Sequence, residues 1–169
     1  AGMEGSPDLE AARLVARYLG TEHHEMTYSA AEVQQALPEV IRCLESFDAP
    51  LVRSAIPMYF VSRLAAEHVK VVLSGEGADE LFAGYAYLDR LGGGERLKRE
   101  LAEITVRLQD TNLQRADRVS MAHGLEARVP FLDLNLVRYA SRLPPALIEP
   151  SSARPEKWQI GRASCRERV

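Results

Sequence analysis

The chain has 169 residues, of which 46% are apolar and 27% charged, and its formal net charge is -3. That length suits one domain with a sizeable core, or a piece of something larger. The mild acidity argues against a nucleic-acid binder, which carries a concentrated basic patch; no apolar run approaches the length that crosses a bilayer, and the N-terminus lacks a signal peptide's basic and apolar regions.

In chain order, Ala1-Gly2-Met3 opens the sequence and predicts residues upstream of it. Gly5-Ser6-Pro7-Asp8 is a turn leading into a helix with an apolar face of Leu9, Ala12, Leu14, Val15 and Leu19, stopped at Gly20. Residues 21–28 are short and mixed, and predict a small strand. Ser29 caps a second helix that runs to about Phe47, kinked or split at Pro38. Asp48-Ala49-Pro50 and Ile56-Pro57 bracket a loop, and a third helix starts at Met58. Val69-Lys70-Val71-Val72-Leu73 is the clearest strand: short, β-branched and almost wholly apolar, as in a parallel strand covered on both faces. Gly92-Gly93-Gly94 breaks the chain before a charged helix over residues 95–115. Pro130 and Pro144-Pro145 bracket a last amphipathic helix over residues 132–143. Helix, strand, turn and helix in succession predict a doubly wound α/β sheet.

The last ten residues, 160–169, read as the translation of a short-read sequencing adapter. The expected organisation is therefore a partial domain over residues 1–158, followed by an adapter-derived tail over 159–169. Two cysteines, Cys43 and Cys165, make neither a disulfide framework nor a zinc cluster, so a reducing cytoplasmic setting is the default. Once the tail is set aside, Cys43 stands alone among Val40, Ile41 and Leu44, as a small buried apolar residue.

The chemistry concentrates after the strand, in Ser74-Gly75-Glu76-Gly77-Ala78-Asp79-Glu80. In open α/β sheets ligands bind beyond the carboxyl ends of strands. Gly75 and Gly77 let the backbone approach a ligand, Ser74 offers a hydroxyl, and turn amides suit phosphate or ribose oxygens. The acids Glu76, Asp79 and Glu80 repel a polyanion unless Mg²⁺ bridges carboxylate and phosphate, and Asp79 is the best ligand candidate. The plainer alternative is a polar turn whose acids complement a helix dipole.

A second constellation, Arg115-Ala116-Asp117-Arg118 with residues 126–133, is either a basic wall for phosphates or a salt-bridge lattice between helices. His23-His24-Glu25 invites a metal reading, but neighbours on a strand face opposite ways, which favours surface or packing histidines. Arg53, Ser54 and Tyr59 offer pocket residues, against the simpler reading of a solvated loop arginine.

Two long stretches carry a resemblance: Val72 to Tyr85, with Ser74-Gly75-Glu76-Gly77-Ala78-Asp79-Glu80-Leu81-Phe82-Ala83-Gly84-Tyr85, and Asn112 to Asp133, with Arg115-Ala116-Asp117-Arg118 and Glu126-Ala127-Arg128-Val129-Pro130-Phe131-Leu132-Asp133. With Gly5 to Leu9, Leu19 to Glu25 and Arg53 to Tyr59, they make the chain similar to the synthetase domain of glutamine-dependent asparagine synthetases, from Gly2 to about Trp158. The resemblance implies an incomplete, parallel-sheet, Rossmann-like α/β domain of the adenine nucleotide α-hydrolase-like class, shared with ATP pyrophosphatases. It implies activation of aspartate by ATP to β-aspartyl-AMP, then attack by ammonia from a glutaminase domain normally on the same chain.

Residue by residue, Ser74 and Gly75 match the ATP-binding pair, Glu76 the acid that forms and consumes the adenylate, and Asp79 an Mg²⁺ ligand. Ala1 matches a position whose backbone lies near adenine, and Arg115 a basic residue near the phosphates. The resemblance also allows a homodimer of the full-length enzyme. The family's Ser-Gly-Gly-Leu-Asp-Ser pyrophosphate loop, its glutaminase domain and its downstream Arg-x-Lys motif are not in this sequence. Arg154 to Trp158 matches the start of the next family segment. The expectation is that the chain alone neither binds ATP tightly nor makes asparagine. A β-lactam synthetase-like or other amide-forming relative, and a non-catalytic module of the same fold, are the alternatives.

Overall fold

A computed structural model describes residues 1–149 and 157–161, and they fall into two units. The first comprises residues 1–72 and 111–128; the second begins at Leu73, runs to Asp110 and resumes at Val129.

In the first unit, helix α1 (Pro7–Leu19) is capped by Ser6, whose Oγ accepts the Asp8 amide at 3.3 Å, and it ends on the left-handed Gly20. Helix α2 (Ala30–Leu44) begins with a reciprocal cap. The Ser29 hydroxyl accepts the Glu32 amide at 3.2 Å, and the Glu32 carboxylate accepts the Ser29 amide at 2.7 Å. The helix is shorter than expected and is not split. It stops at Leu44, with Glu45 left-handed, and it passes Pro38 without splitting. Leu37, Val40, Ile41 and Leu44, on one face, all pack in the core, and that burial offsets the lost Pro38 hydrogen bond.

The predicted loop between Pro50 and Pro57 is also corrected. Helix α3 (Ala49–Ala66) runs through it, capped by Asp48 accepting the Leu51 amide at 2.8 Å. Pro50 sits in the first turn, where a missing N–H costs nothing. Pro57 loses one bond in a helix that buries Leu51, Val52, Ala55 and Phe60. Helix α6 (Asn112–Ala122) completes this core by burying Val119 with Val40 and Leu44. Each such fully buried aliphatic or aromatic side chain contributes about 1.5–3 kcal/mol. The Phe60 ring also stacks on Tyr28 at 4.3 Å between centroids.

The strand signal survives, but its burial does not. Strand β1 (Val71–Leu73) pairs with β2 (Glu126–Arg128) in a small parallel sheet, and the Glu126 amide donates to the Lys70 carbonyl at 2.9 Å. Leu73 is 74% exposed, and Val69 and Val71 are exposed too. An apolar β-branched run specifies a strand, whereas covering both its faces requires neighbours that the described residues do not supply. The predicted strand over residues 21–28 reduces to one isolated parallel bridge between Gly2 and Thr27.

His123 follows α6. Its ring meets the edge of Tyr59 at 4.7 Å, and its Nε2 is buried without a hydrogen-bond partner among the described residues. Burial, then the charge of Arg63, lowers its pKa below the ordinary 6.5, against a smaller opposing pull from Glu39. Between the folded pKa and 6.5 the unfolded chain holds the extra proton, so stability is complete above about pH 6.5 and falls as pH drops through that window. His123→Gln is expected to flatten this slope in urea titrations between about pH 5 and 7.

The second unit holds α4 (Ala78–Phe82), a 3-10 turn at Ala86–Leu91, α5 (Gly94–Arg107), α7 (Leu134–Ser141) and α8 (Pro145–Ile148). Phe82, Leu88, Leu97, Leu101, Ala140 and Ile148 form its core. The helix predicted over residues 95–115 is broken: α5 ends at Arg107, and a 3-10 turn at Leu108–Asp110 precedes α6. Asp110, Thr111 and Asn112 favour turns because their side chains compete for backbone partners. The helix predicted over residues 132–143 is shorter as well. Asp133 Oδ1 caps α7 by accepting the amides of Asn135 at 2.9 Å and Leu136 at 3.2 Å.

Among the described residues the chain is thus a mostly helical α/β protein with a small parallel sheet. No helix among them is long and apolar enough to cross a membrane. Residues 162–169, most of the stretch read as adapter-derived, and residues 150–156 lie outside the described residues.

Candidate nucleotide site

The end of β1 does lead into a tight turn, as the glycines predict. The Glu76 amide reaches Ser74 Oγ at 3.4 Å, the Ala78 amide reaches the Gly75 carbonyl at 3.2 Å, and the Leu81 amide reaches the Gly77 carbonyl at 3.0 Å. Ser74 and Glu76 are half-buried and Gly75 is exposed. Gly77 enters α4 with φ of +94°, and a Cβ there would lie 2.5 Å from Leu132 Cδ2. Only glycine meets both demands. Ser74, Gly75 and Glu76 therefore lie on a turn whose last residue, Gly77, packs against Leu132.

The three acids part company after Gly77. Successive helical residues diverge by about a quarter turn, and the structure shows the result. Glu80, only 3% exposed, turns into the core side and accepts the Tyr85 hydroxyl. It lines an apolar cavity of about 290 Å³ with Leu81, Leu101, Val137, Ala140 and Ile148. It is a structural acid, and the sequence grouping with Glu76 and Asp79 is corrected on this point.

Asp79 remains accessible, but its carboxylate is engaged. Oδ1 accepts a charge-assisted hydrogen bond from Lys157 Nζ at 2.7 Å, and a Cβ on Gly84 would lie 1.9 Å from that oxygen. Among the described residues no group of three His, Cys, Asp or Glu side chains is placed to hold a metal ion. One hard carboxylate with phosphate oxygens is nonetheless the donor set that Mg²⁺ takes in nucleotide sites, in contrast to a closed protein cage. The chemistry of Asp79 fits that group. Sequence reasoning missed Lys157 at this place, because 78 positions separate it from Asp79 and no periodicity connects them.

Ala1 and Arg115, the other two predicted nucleotide contacts, belong to the first unit. Ala1 precedes Gly2, whose amide donates to Met26 O at 3.1 Å, and Arg115 is half-buried on α6. Nearby, Arg118 bonds the Leu44 carbonyl and pairs with Glu45 at 3.2 Å, which ties α6 to the end of α2 as the lattice reading requires. Arg128 pairs at 2.8 Å with Glu126 on its own strand. His24 stacks on His68 at 3.8 Å, and His23 meets Glu25 at 3.4 Å. Cys43 is half-buried. Burial first, and then the Glu39 charge, pushes its thiol up, away from a nucleophile's range. Arg53 is an exposed residue of α3, and the Ser54 hydroxyl donates to its own helix at Leu51 O.

A family model described as asparagine synthase matches residues 1–100 and 89–164. The Arabidopsis thaliana protein named asparagine synthetase [glutamine-hydrolyzing] 1 is 42% identical over 165 residues, covering 96% of this chain. The asparagine synthetases [glutamine-hydrolyzing] of Mesocricetus auratus and Mus musculus are each 44% identical over 153 residues, covering 89% of it. This chain spans 28% of the length of the first relative and 27% of the other two.

Proposed function

The chain belongs to the asparagine synthase family, and from that premise we propose that it is part of an ATP-dependent synthetase centre that turns aspartate into asparagine. In this reading the side-chain carboxylate of aspartate attacks ATP, giving β-aspartyl-AMP and pyrophosphate. Ammonia derived from glutamine then attacks the acyl carbon, the carbon–oxygen bond to AMP breaks, and the nitrogen sheds a proton.

The observation that carries the reading is the strand-end turn, where the Glu76 amide reaches Ser74 Oγ and Gly77 takes a conformation and a space open only to glycine. Ser74 and the turn amides supply donors for nucleotide oxygens. Glu76, half-buried beside them, takes the proton that ammonia loses, as general base. Mg²⁺ arriving with ATP would supply charge neutralisation at the pyrophosphate, and Asp79 would hold it. Arg115 and the Ala1 backbone are assigned to the phosphates and adenine. The adenine nucleotide α-hydrolase-like class, a cytoplasmic setting and a homodimer of the longer protein belong to the same proposal.

A chimera tests it. With this chain in place of the matching segment of the Arabidopsis relative, ammonia, aspartate and ATP should yield asparagine, AMP and pyrophosphate. The isolated chain, titrated calorimetrically with ATP and Mg²⁺, should show no micromolar binding. A folded chimera that makes no asparagine would refute the assignment.

A further inference from the structure

The pairing of Asp79 with Lys157 has the form of a cation site already filled from within. The Lys157 ammonium lies 2.7 Å from Asp79 Oδ1, and the two side chains are 40% and 34% exposed. The pair is seated against Gly84. A methyl group there would stand 1.9 Å from the carboxylate oxygen and 2.9 Å from Lys157 Cδ, so this contact exists only because position 84 lacks a side chain. Gly84 also donates its amide to the Asp79 carbonyl at 3.0 Å, which fixes the seat to the helix that carries the acid. A carboxylate has lone pairs enough for both an ammonium and a divalent cation, but the two positive charges repel each other across it, so the ammonium weakens the hold on the ion.

We propose that Lys157 is a positioning residue, the internal counter-ion of Asp79, whose charge opposes a divalent cation at that carboxylate. The inference rests on the reading of Asp79 as the metal ligand. In the metal-free state the ammonium neutralises the acid beside the nucleotide turn. The same ammonium stands beside the ion, where it can meet the phosphates of the nucleotide that arrives with it. Because the pair is partly exposed, the opposition is modest.

Mn²⁺ alone, titrated into the 169-residue chain and followed by the electron paramagnetic resonance of the free ion, tests this without any turnover. Lys157→Met should bind Mn²⁺ about two- to five-fold more tightly than the parent chain, and Lys157→Arg should resemble the parent. Far-ultraviolet circular dichroism confirms which variants are folded. Asp79→Asn should lose the site. If Asp79→Asn binds Mn²⁺ as the parent does, the metal-ligand reading itself fails and the inference falls with it. If Asp79→Asn loses binding while folded Lys157→Met binds no more tightly than the parent, only the counter-ion proposal is overturned.

Discussion

Glu76→Gln in the chimera is expected to lower ammonia-dependent asparagine formation by about 100-fold or more, the usual scale for removing a general base. The substitution keeps the size and shape of the side chain and leaves the Glu76 amide on Ser74 Oγ, so the turn itself should persist. The change is confined to the carboxylate, which no longer accepts a proton. If Glu76 acts on the attacking ammonia, kcat falls while pyrophosphate exchange into ATP, which needs only adenylate formation, is affected less. Measuring both reactions separates the two roles. A variant with the parent's asparagine rate would remove Glu76 from the mechanism.

Gly77→Ala is expected to cost about 3 kcal/mol, combining an unfavourable φ with overpacking. At φ of +94° an L-residue is strained whatever the space around it, and here the added methyl also lies 2.5 Å from Leu132 Cδ2 and 2.8 Å from Leu132 Cγ. For a chain of this size the thermal midpoint should fall by about 6–12 °C. Adding Leu132→Ala relieves the collision but not the backbone strain, so the double variant should recover part of the loss relative to the Leu132→Ala background. Full recovery would show that only the collision matters; none would show that the φ angle carries the whole effect.

Gly77 also illustrates what local sequence specifies well. Two glycines around an acid after an apolar β-branched run are sufficient to predict strand, turn and helix, because each signal acts within a few residues. Ser6, Ser29 and Asp133 behave the same way: each cap bonds an amide two or three positions ahead. Pro50 and Pro57 mislead for the converse reason. Their local cost is real, but one helix face burying Leu51, Val52, Ala55 and Phe60 outweighs it, and that burial depends on α2 and α6.

The sequence by itself determined the family, the strand-end turn at Ser74-Gly75-Glu76 and most helix starts, since these follow from contiguous residues. Only the tertiary structure decided how the acids are divided. Glu80 is drawn into the second unit's apolar core, where it accepts the Tyr85 hydroxyl, while Asp79, one residue earlier, stays partly exposed and is met by Lys157. Adjacent carboxylates look alike in a sequence; the helical rotation between them, and a lysine 78 residues away, give them different chemistry.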